Sequence, residues 1–366
     1  MKPKLFRALG LMSGTSIDGI DIAMIETDGE GIVRAGQFMT HSYERGFREK
    51  LRAAFGPQAV MRGPEVLALE RDLTELHAAV VSGFLLRYQI AAENIDLIGF
   101  HGQTLWHDPA HHVTAQIGDG AELARLTQIP VVNDFRSADV LAGGQGAPLV
   151  PLYHAALASK LPKPVMILNL GGVANVTYVG GHGQDDLLAF DIGPGNALID
   201  DWMLRMTGKP YDVYGEMAAS GVPDEGWVDS VLAQPFFSLS PPKALDREAF
   251  KPLMPTTLGA ADGAATLTRL TARCVAMAVA HMPLKPQTIY VAGGGRLNTT
   301  LMRMILDVTR IPVAPVDALG WNGDSLEAEA FAYLAVRSKL GLPISLPGTT
   351  GVPQPMRGGA LHIPSQ

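Results

Sequence analysis

The chain has a single cysteine, Cys274, among its 366 residues. One thiol closes no intramolecular disulfide, and no Cys/His spacing prepares a zinc site. Its neighbours in TARCVAMAVAHM are apolar, so it reads as a buried helix residue rather than a reactive thiol. No apolar run reaches the roughly 18 residues of a membrane span. The basic start MKPKLFRALGLM precedes a run too short for a signal peptide, which flows into a glycine turn. Basic blocks are missing as well, and the formal net charge is −7. Such a chain does not hold nucleic acid or an anionic membrane through long-range charge. These absences lead us to expect a soluble, cytoplasmic protein acting on a small molecule. Two phosphate signatures are absent too. There is no G-x-x-x-x-G-K-[ST], since TGKPY has proline after its lysine, and no G-x-G-x-x-G follows a strand. A small anion is therefore left to backbone N–H groups.

What is present is a folded α/β chain. Hydrophobic residues are 47% and charged residues 18%, which excludes disorder. The length exceeds one ordinary core and implies two domains. Leu5–Met12 and Ile20–Ile25 read as strands around a turn, and Glu65–Arg87 has helical spacing. NIDLIGFHGQT and QIPVVNDFR are strands with polar ends, GDGAELARL opens a helix, and GGQGAPLVPLYHAALAS runs from glycine loop to helix. The opening pattern of strand, glycine turn and strand returns at Pro164–Gly181, a hint of two halves with related topology. A final helix is expected at Ser325–Leu340, then an irregular tail from Gly341. The alternation argues for layered α/β sheets. The boundary is expected near Asp134–Ala147. Residues 1–135 with about 341–366 then form the first lobe and 136–340 the second, the last helix being a candidate to cross back.

Four glycine turns end apolar strands. In SGTSIDGID, Gly14 and Gly19 let the backbone approach a ligand, while Ser13, Thr15 and Ser16 add hydroxyl donors. Asp18 and Asp21 suit a phosphate-bound Mg²⁺, directly or through water. The plainer alternative is a hairpin whose side chains cap local N–H groups. In NLGGVANVT, Gly171 and Gly172 offer the same approach with Asn175 as donor, or a simple hairpin. In VAGGGRLN, Gly293, Gly294 and Gly295 cost chain entropy and suit a flat ring or phosphate lying on bare backbone, with a helix from Asn298. In FDIGPGN, Asp191 precedes Gly193 and Asn196, and is either a general base or the cap of the next helix.

Two polar strand ends add His101, Gln103 and Thr104, then Asp134, Arg136 and Asp139. Neutral hydrogen-bonding groups beside an Arg–Asp set suit a sugar bearing a carboxylate, or else a structural network. His111 and His112 read as a solvated loop rather than a metal site. Glu327 and Glu329 cannot share one helix face, so at most one enters a site.

Together the four turns resemble the nucleotide-binding frame of the sugar kinase, heat-shock-70 and actin superfamily. GLMSGTSIDGID, HGQT, DFR, GGQGAPL, NLGG-AN, FDIGPGN and AGGG--N, in this order, look like the anhydro-N-acetylmuramic acid kinases. That resemblance implies a two-lobed, actin-like (ribonuclease H-like) α/β fold with an interlobe cleft, and a homodimer. It implies ATP and Mg²⁺, with Gly14 to Asp21 (including Ile17 and Ile20), Gly171, Gly172, Asn175, Gly293 to Gly295 and Asn298 at the nucleotide and Asp18 near the metal. Asp191 matches the catalytic base, while His101, Gln103, Thr104, Asp134, Arg136, Gly193, Asn196 and Glu327 fall to the sugar. The implied reaction opens a 1,6-anhydro bridge with water and phosphorylates O6. An ordinary sugar kinase on the same frame is the alternative. A third reading, an ATP-driven clamp or filament, needs a peptide-binding extension or polymer surfaces, whereas only a helix and a short tail are expected after the adenosine loop.

Overall fold

A computed structural model describes residues 3–243 and 253–364. The chain packs into two units, residues 1–159 with 325–366, and residues 160–324. In the first unit the strands are β1 (Phe6–Ser13), β2 (Gly19–Thr27), β3 (Val33–Ser42), β4 (Leu97–Asp108), β5 (Val113–Ile117) and β6 (Val131–Asn133), joined late by β12 (Ala360–His362). The second unit has β7 (Val165–Leu170), β8 (Val173–Val179), β9 (Leu187–Pro194), β10 (Thr288–Ala292) and β11 (Val313–Pro315).

The two sheets repeat one topology. The first runs β3-β2-β1-β4-β6, with β12 beyond β6 and β5 paired to β4; the second runs β9-β8-β7-β10-β11. In each, three antiparallel strands meander and the next two join in parallel. The echo at Pro164–Gly181 is thus an echo of architecture, and each half is a mixed sheet with helices, as the resemblance implies. The meander forms because its connections are tight turns, whereas parallel neighbours need the longer helical crossovers.

The first core packs β1, β2 and β4 against the helix Pro64–Arg87 through Leu9, Leu11, Ile20, Leu73 and Phe84. In the second, the helices Ala197–Thr207 and Ala260–Ala280 bring Trp202 and Leu270 to Leu168, Val176 and Phe190. Cys274 lies in that core, fully buried, and burial pushes its thiol up to about 12. Among the described residues, no helix is long and apolar enough to cross a membrane.

The domain boundary expected near Asp134–Ala147 falls instead at Ser159/Lys160 and Asp324/Ser325. Residues 136–159 and 325–340 belong to the first unit, and packing explains why. The helix Leu326–Lys339 is buried nearly all round, with Phe331, Leu334 and Val336 inaccessible. Glycines on two adjacent strands let it settle onto the sheet. A Cβ on Gly10 would run into the Ala328 carbonyl oxygen, and one on Gly99 into that of Phe331. Asp139, also buried, accepts the Gly146 N–H at 2.6 Å and the hydroxyls of Ser345 and Thr350, tying residues 139–146 to the tail. The tail from Gly341 is correspondingly less irregular than its composition suggests. It forms the short helix Pro347–Thr350 and β12, which pairs antiparallel with β6.

Two outcomes follow from this packing. Gly99→Ala should lose about 1–3 kcal/mol through overpacking. Gly83→Ala, at a helix position where a Cβ meets nothing within 4 Å, should gain about 0.5–1 kcal/mol. Urea midpoints compare them, and equal midpoints would contradict the close-approach argument. Secondly, His77 and His154 are held down to about 4 by burial, and burial also takes His101 well below the usual histidine range. The unfolded chain binds protons at these sites near pH 6.5 while the folded one does not. Stability is therefore complete above pH 6.5 and falls as the pH drops toward 4, by at most about 1.4 kcal/mol per pH unit for each histidine. His77→Leu should flatten that slope in urea titrations between pH 7.5 and 5.

Candidate active site

In the first unit the turn between β1 and β2 exposes Thr15, Ser16 and Asp18 but buries Ile17. Ile17 takes φ 49°, an uncommon conformation for a β-branched residue, and is held there by the core and by its N–H on the Gly14 carbonyl at 3.0 Å. Ile17 and Ile20 are core residues, so any ligand they meet is met by backbone alone. Gly19 serves the sheet, because a Cβ there would collide with the His41 carbonyl. Ser16 donates to Asp18 at 2.8 Å, and Thr40 donates to Asp21 at 2.6 Å.

Gln103 proves to be a buttress of this turn rather than a group facing a ligand. It is wholly buried; its Oε1 accepts from Ser13 at 2.6 Å and its Nε2 donates to the Gly14 carbonyl at 3.1 Å. Ser13 also bonds the Tyr43 hydroxyl at 2.7 Å, and the Tyr43 N–H reaches the Asp18 carbonyl at 2.9 Å. Ser13, expected to offer its hydroxyl to a ligand, is thus a structural member, as is Tyr43, which the motif did not reveal. Thr104 accepts from Gln116 at 3.2 Å on the β4–β5 hairpin.

A second cluster gathers Arg136, His101 and Glu327. Arg136 donates from Nε and Nη2 to His101 Nε2 at 3.1 and 3.0 Å, and from Nη1 to the Gly146 carbonyl at 2.6 Å. Desolvation lowers its guanidinium to about 10, opposed by the nearby charges of Glu327 and Asp139. Glu327 is open to solvent along its side chain, yet closely surrounded by chain. Desolvation raises its carboxyl, Arg136 lowers it, and Asp21 and Asp18 raise it further. Glu329, two residues on, faces away and is buried, accepting from Tyr153 and from Ser325 at 2.6 Å. The two glutamates do part company as helical geometry requires.

Asp134 takes φ 54° and accepts from Ser137. With His101, Gln116, Asn133, Ser137 and His362 it lines a polar cavity of about 370 Å³, within the range of small-ligand sites. Arg136 and Glu327 do not line that cavity. His111 is exposed and pairs with Asp108 at 2.8 Å, as a solvated loop would. Among the described residues there is no cluster of three or more acidic, histidine or cysteine groups for a metal. Mg²⁺ commonly keeps several waters and takes one or two carboxylates plus phosphate oxygens. An exposed Asp18 beside a turn of N–H groups fits that mode.

The second unit brings three turns together around Asn196. Its N–H donates to the Gly171 carbonyl at 2.7 Å, its Nδ2 donates to the Leu170 carbonyl at 3.0 Å, and Gly195 N–H reaches Gly172 at 3.0 Å. Gly293 has φ 73°, and a Cβ there would press on Asn169 and Leu170; one on Gly295 would meet Leu170 and Asn196. Only Gly294 of the three leaves its face open. Gly293 and Gly295 are therefore packing glycines, and one bare position remains for a ring or phosphate. Gly193 packs on Cys274 and Phe237. Arg296, which sequence reading passed over, donates to the Gly293 carbonyl at 3.1 Å and to Asp317 and Asp324. Asn298 caps the helix Thr299–Thr309 through Leu301 N–H at 2.9 Å and is buried, so its side chain is committed to the fold.

Asp191 lies within β9 opposite Asn175 of β8, and its N–H donates to the Lys243 carbonyl at 2.9 Å. The helix after it, Ala197–Thr207, has Asn196 at its cap and no side-chain cap bond. The N-cap position of that helix is therefore Asn196 and not Asp191.

The model of the family "Anhydro-N-acetylmuramic acid kinase" matches residues 6–364. The chain belongs to this family. The anhydro-N-acetylmuramic acid kinase of Rhizorhabdus wittichii is 53% identical over 98% of this chain and 99% of its own. That of Nitrobacter winogradskyi is 49% identical over 98% and 100%, and that of Paramagnetospirillum magneticum 51% over 98% and 99%. Membership of a kinase family makes the chain an enzyme and removes the clamp and filament reading.

If Gln103 buttresses the first turn, Gln103→Leu should cost about 1–3 kcal/mol, because Ser13 and the Gly14 carbonyl lose buried partners. Amide hydrogen exchange should accelerate at residues 14–18. Unchanged exchange there would assign the glutamine another task.

Proposed function

We propose that the enzyme opens the 1,6-anhydro bridge of anhydro-N-acetylmuramic acid with water and transfers the γ-phosphate of ATP to O6. The products are N-acetylmuramic acid 6-phosphate and ADP. The observation that carries this reading, beside family membership, is the placement of Asp191. It sits on β9, whose end leads into the glycine turns that converge on Asn196.

In this reading Asp191 takes a proton from water as the water oxygen bonds to C1. The C1–O6 bond breaks, and its electrons remain on O6, which attacks the γ-phosphorus while ADP departs. The water's second proton stays on the new C1 hydroxyl. One base thereby serves both steps, since O6 becomes a competent nucleophile only as the bridge opens. In the first unit the N–H groups of Gly14 to Asp18, with the Thr15 and Ser16 hydroxyls, suit phosphate oxygens, and in the second those of Gly171 and Gly172 do. The nucleotide's flat ring lies at Gly294. Asp18 would hold Mg²⁺, directly or through water, and the ion would supply neutralisation of charge on the transferring group. Asp134, Arg136 and Glu327 contact the sugar. A homodimer as assembly rests on the family resemblance, and the cytoplasm as compartment on the sequence-based expectation.

Asp191→Asn should leave ATP binding within about threefold of wild type and reduce turnover by at least about a thousandfold, since base and nucleophile are lost together. Calorimetry and a coupled ADP assay measure the two. Near-normal kcat would sink the mechanism. Reaction in ¹⁸O-water should place solvent oxygen at C1. An unlabelled product, or equal activity on N-acetylmuramic acid, would favour an ordinary sugar kinase.

A further inference from the structure

Arg136 is a cation held almost entirely by neutral acceptors. Of its five N–H groups, Nε–H and one on Nη2 go to a single histidine nitrogen, and one on Nη1 goes to the Gly146 carbonyl. Among the described residues it has no carboxylate within ion-pair distance, although the charges of Glu327 and Asp139 act on it. One N–H on each terminal nitrogen is left over, the arrangement that receives two oxygens of one anion.

The geometry of His101 decides which edge is left. Its Nδ1 lies 2.8 Å from the Gly102 carbonyl, which only an N–H can satisfy, so Nε2 must be the bare nitrogen. Arg136 confirms this from the other side, since it brings only donors to Nε2. The imidazole ring itself is immobilised against Phe331, centroids 4.6 Å apart, and Phe331 touches Phe135 at 5.3 Å. The second acceptor is fixed as firmly. Gly146 has φ 65°, its N–H is gripped by Asp139 at 2.6 Å, and the preceding carbonyl, of Gln145, meets His107 at 2.9 Å.

We propose that His101 is a positioning residue: as the neutral Nδ1–H tautomer it occupies the Nε edge of Arg136 and turns the remaining terminal N–H pair toward an oxyanion of a bound substrate. This deepens the function proposed above and replaces a direct sugar contact for His101 with an indirect one. Two sources share that chemistry, the carboxylate of an acidic sugar and the terminal phosphate of the nucleotide.

The test uses the full-length enzyme. His101→Phe keeps a ring against Phe331 and removes the acceptor; His101→Gln returns an amide oxygen near the Nε2 position. KM for the acidic sugar should rise about tenfold or more in the Phe variant with a smaller change in kcat, and the Gln variant should recover to within about threefold. If the carboxylate is the anion, a carboxamide analogue of the sugar abolishes the difference between wild type and the Phe variant. If phosphate is the anion, the difference persists on the analogue and KM for ATP rises instead. Unchanged KM for both substrates in the Phe variant overturns the proposal, as does a loss that Gln fails to recover in a protein with wild-type circular dichroism. Independently of turnover, nitrogen-15 NMR of the wild-type apoenzyme should show His101 protonated on Nδ1 alone; an Nε2–H tautomer or an imidazolium overturns it. Absence of wild-type activity on the anhydro sugar would strike the proposed reaction and leave this tautomer measurement standing.

Discussion

Two bare stretches of strand backbone carry the first unit. At Gly10 and Gly99 the helix Leu326–Lys339 touches the sheet with no side chain between them. Adjacent strands, β1 and β4, thus present a shallow seat. A helix seated so closely buries its apolar residues on almost every side, and each large one contributes about 1.5–3 kcal/mol. That seat draws residues 325–366 onto the N-terminal sheet and fixes the start of the helix. There Glu327 comes within the field of Arg136, Asp18 and Asp21, while Glu329 is turned inward.

The polar groups of both units are arranged on one plan. Glycine turns are not left to their own flexibility. They are pinned by neutral amides and hydroxyls: Gln103, Ser13 and Tyr43 in the first unit, Asn196 and Thr271 in the second. Neutral partners suit this work. They satisfy buried backbone groups without setting a fixed charge beside the turn. Two glycine turns are held by charged groups instead, Arg296 at the Gly293 carbonyl and Asp139 at the Gly146 N–H.

Much of the architecture was legible because it rests on local rules. Alternating apolar runs around glycine turns marked both meanders, and the helices at 65–87 and 325–340 had the spacing of buried faces. The strand Thr288–Ala292 was bounded by its own glycines. The domain boundary was not legible, because it depends on which sheet a helix seats against. Gly10 and Gly99 look like any strand glycine until the helix carbonyls are placed over them. The site was legible in kind more than in detail. A motif such as HGQT announces buried hydrogen-bonding groups, but not that Gln103 spends its amide on the neighbouring turn. AGGG announces absent side chains, but not that two of its glycines make room for Leu170. Arg296 and Tyr43 carried no local signal for their side-chain partners, since Asp317 and Ser13 lie 21 and 30 residues away in sequence.

The buried carboxylate of Glu329 ties Tyr153 to Ser325. One stands shortly before the chain leaves the first unit after Ser159, and the other is the first residue after it returns. Residues 160–324 are therefore a contiguous insert in a host whose two cut ends are stitched to the same side chain. The host's sheet is complete without the insert, for every strand in it comes from outside that segment. The scaffold that receives the insert therefore keeps its own sheet, its own core and its own seam.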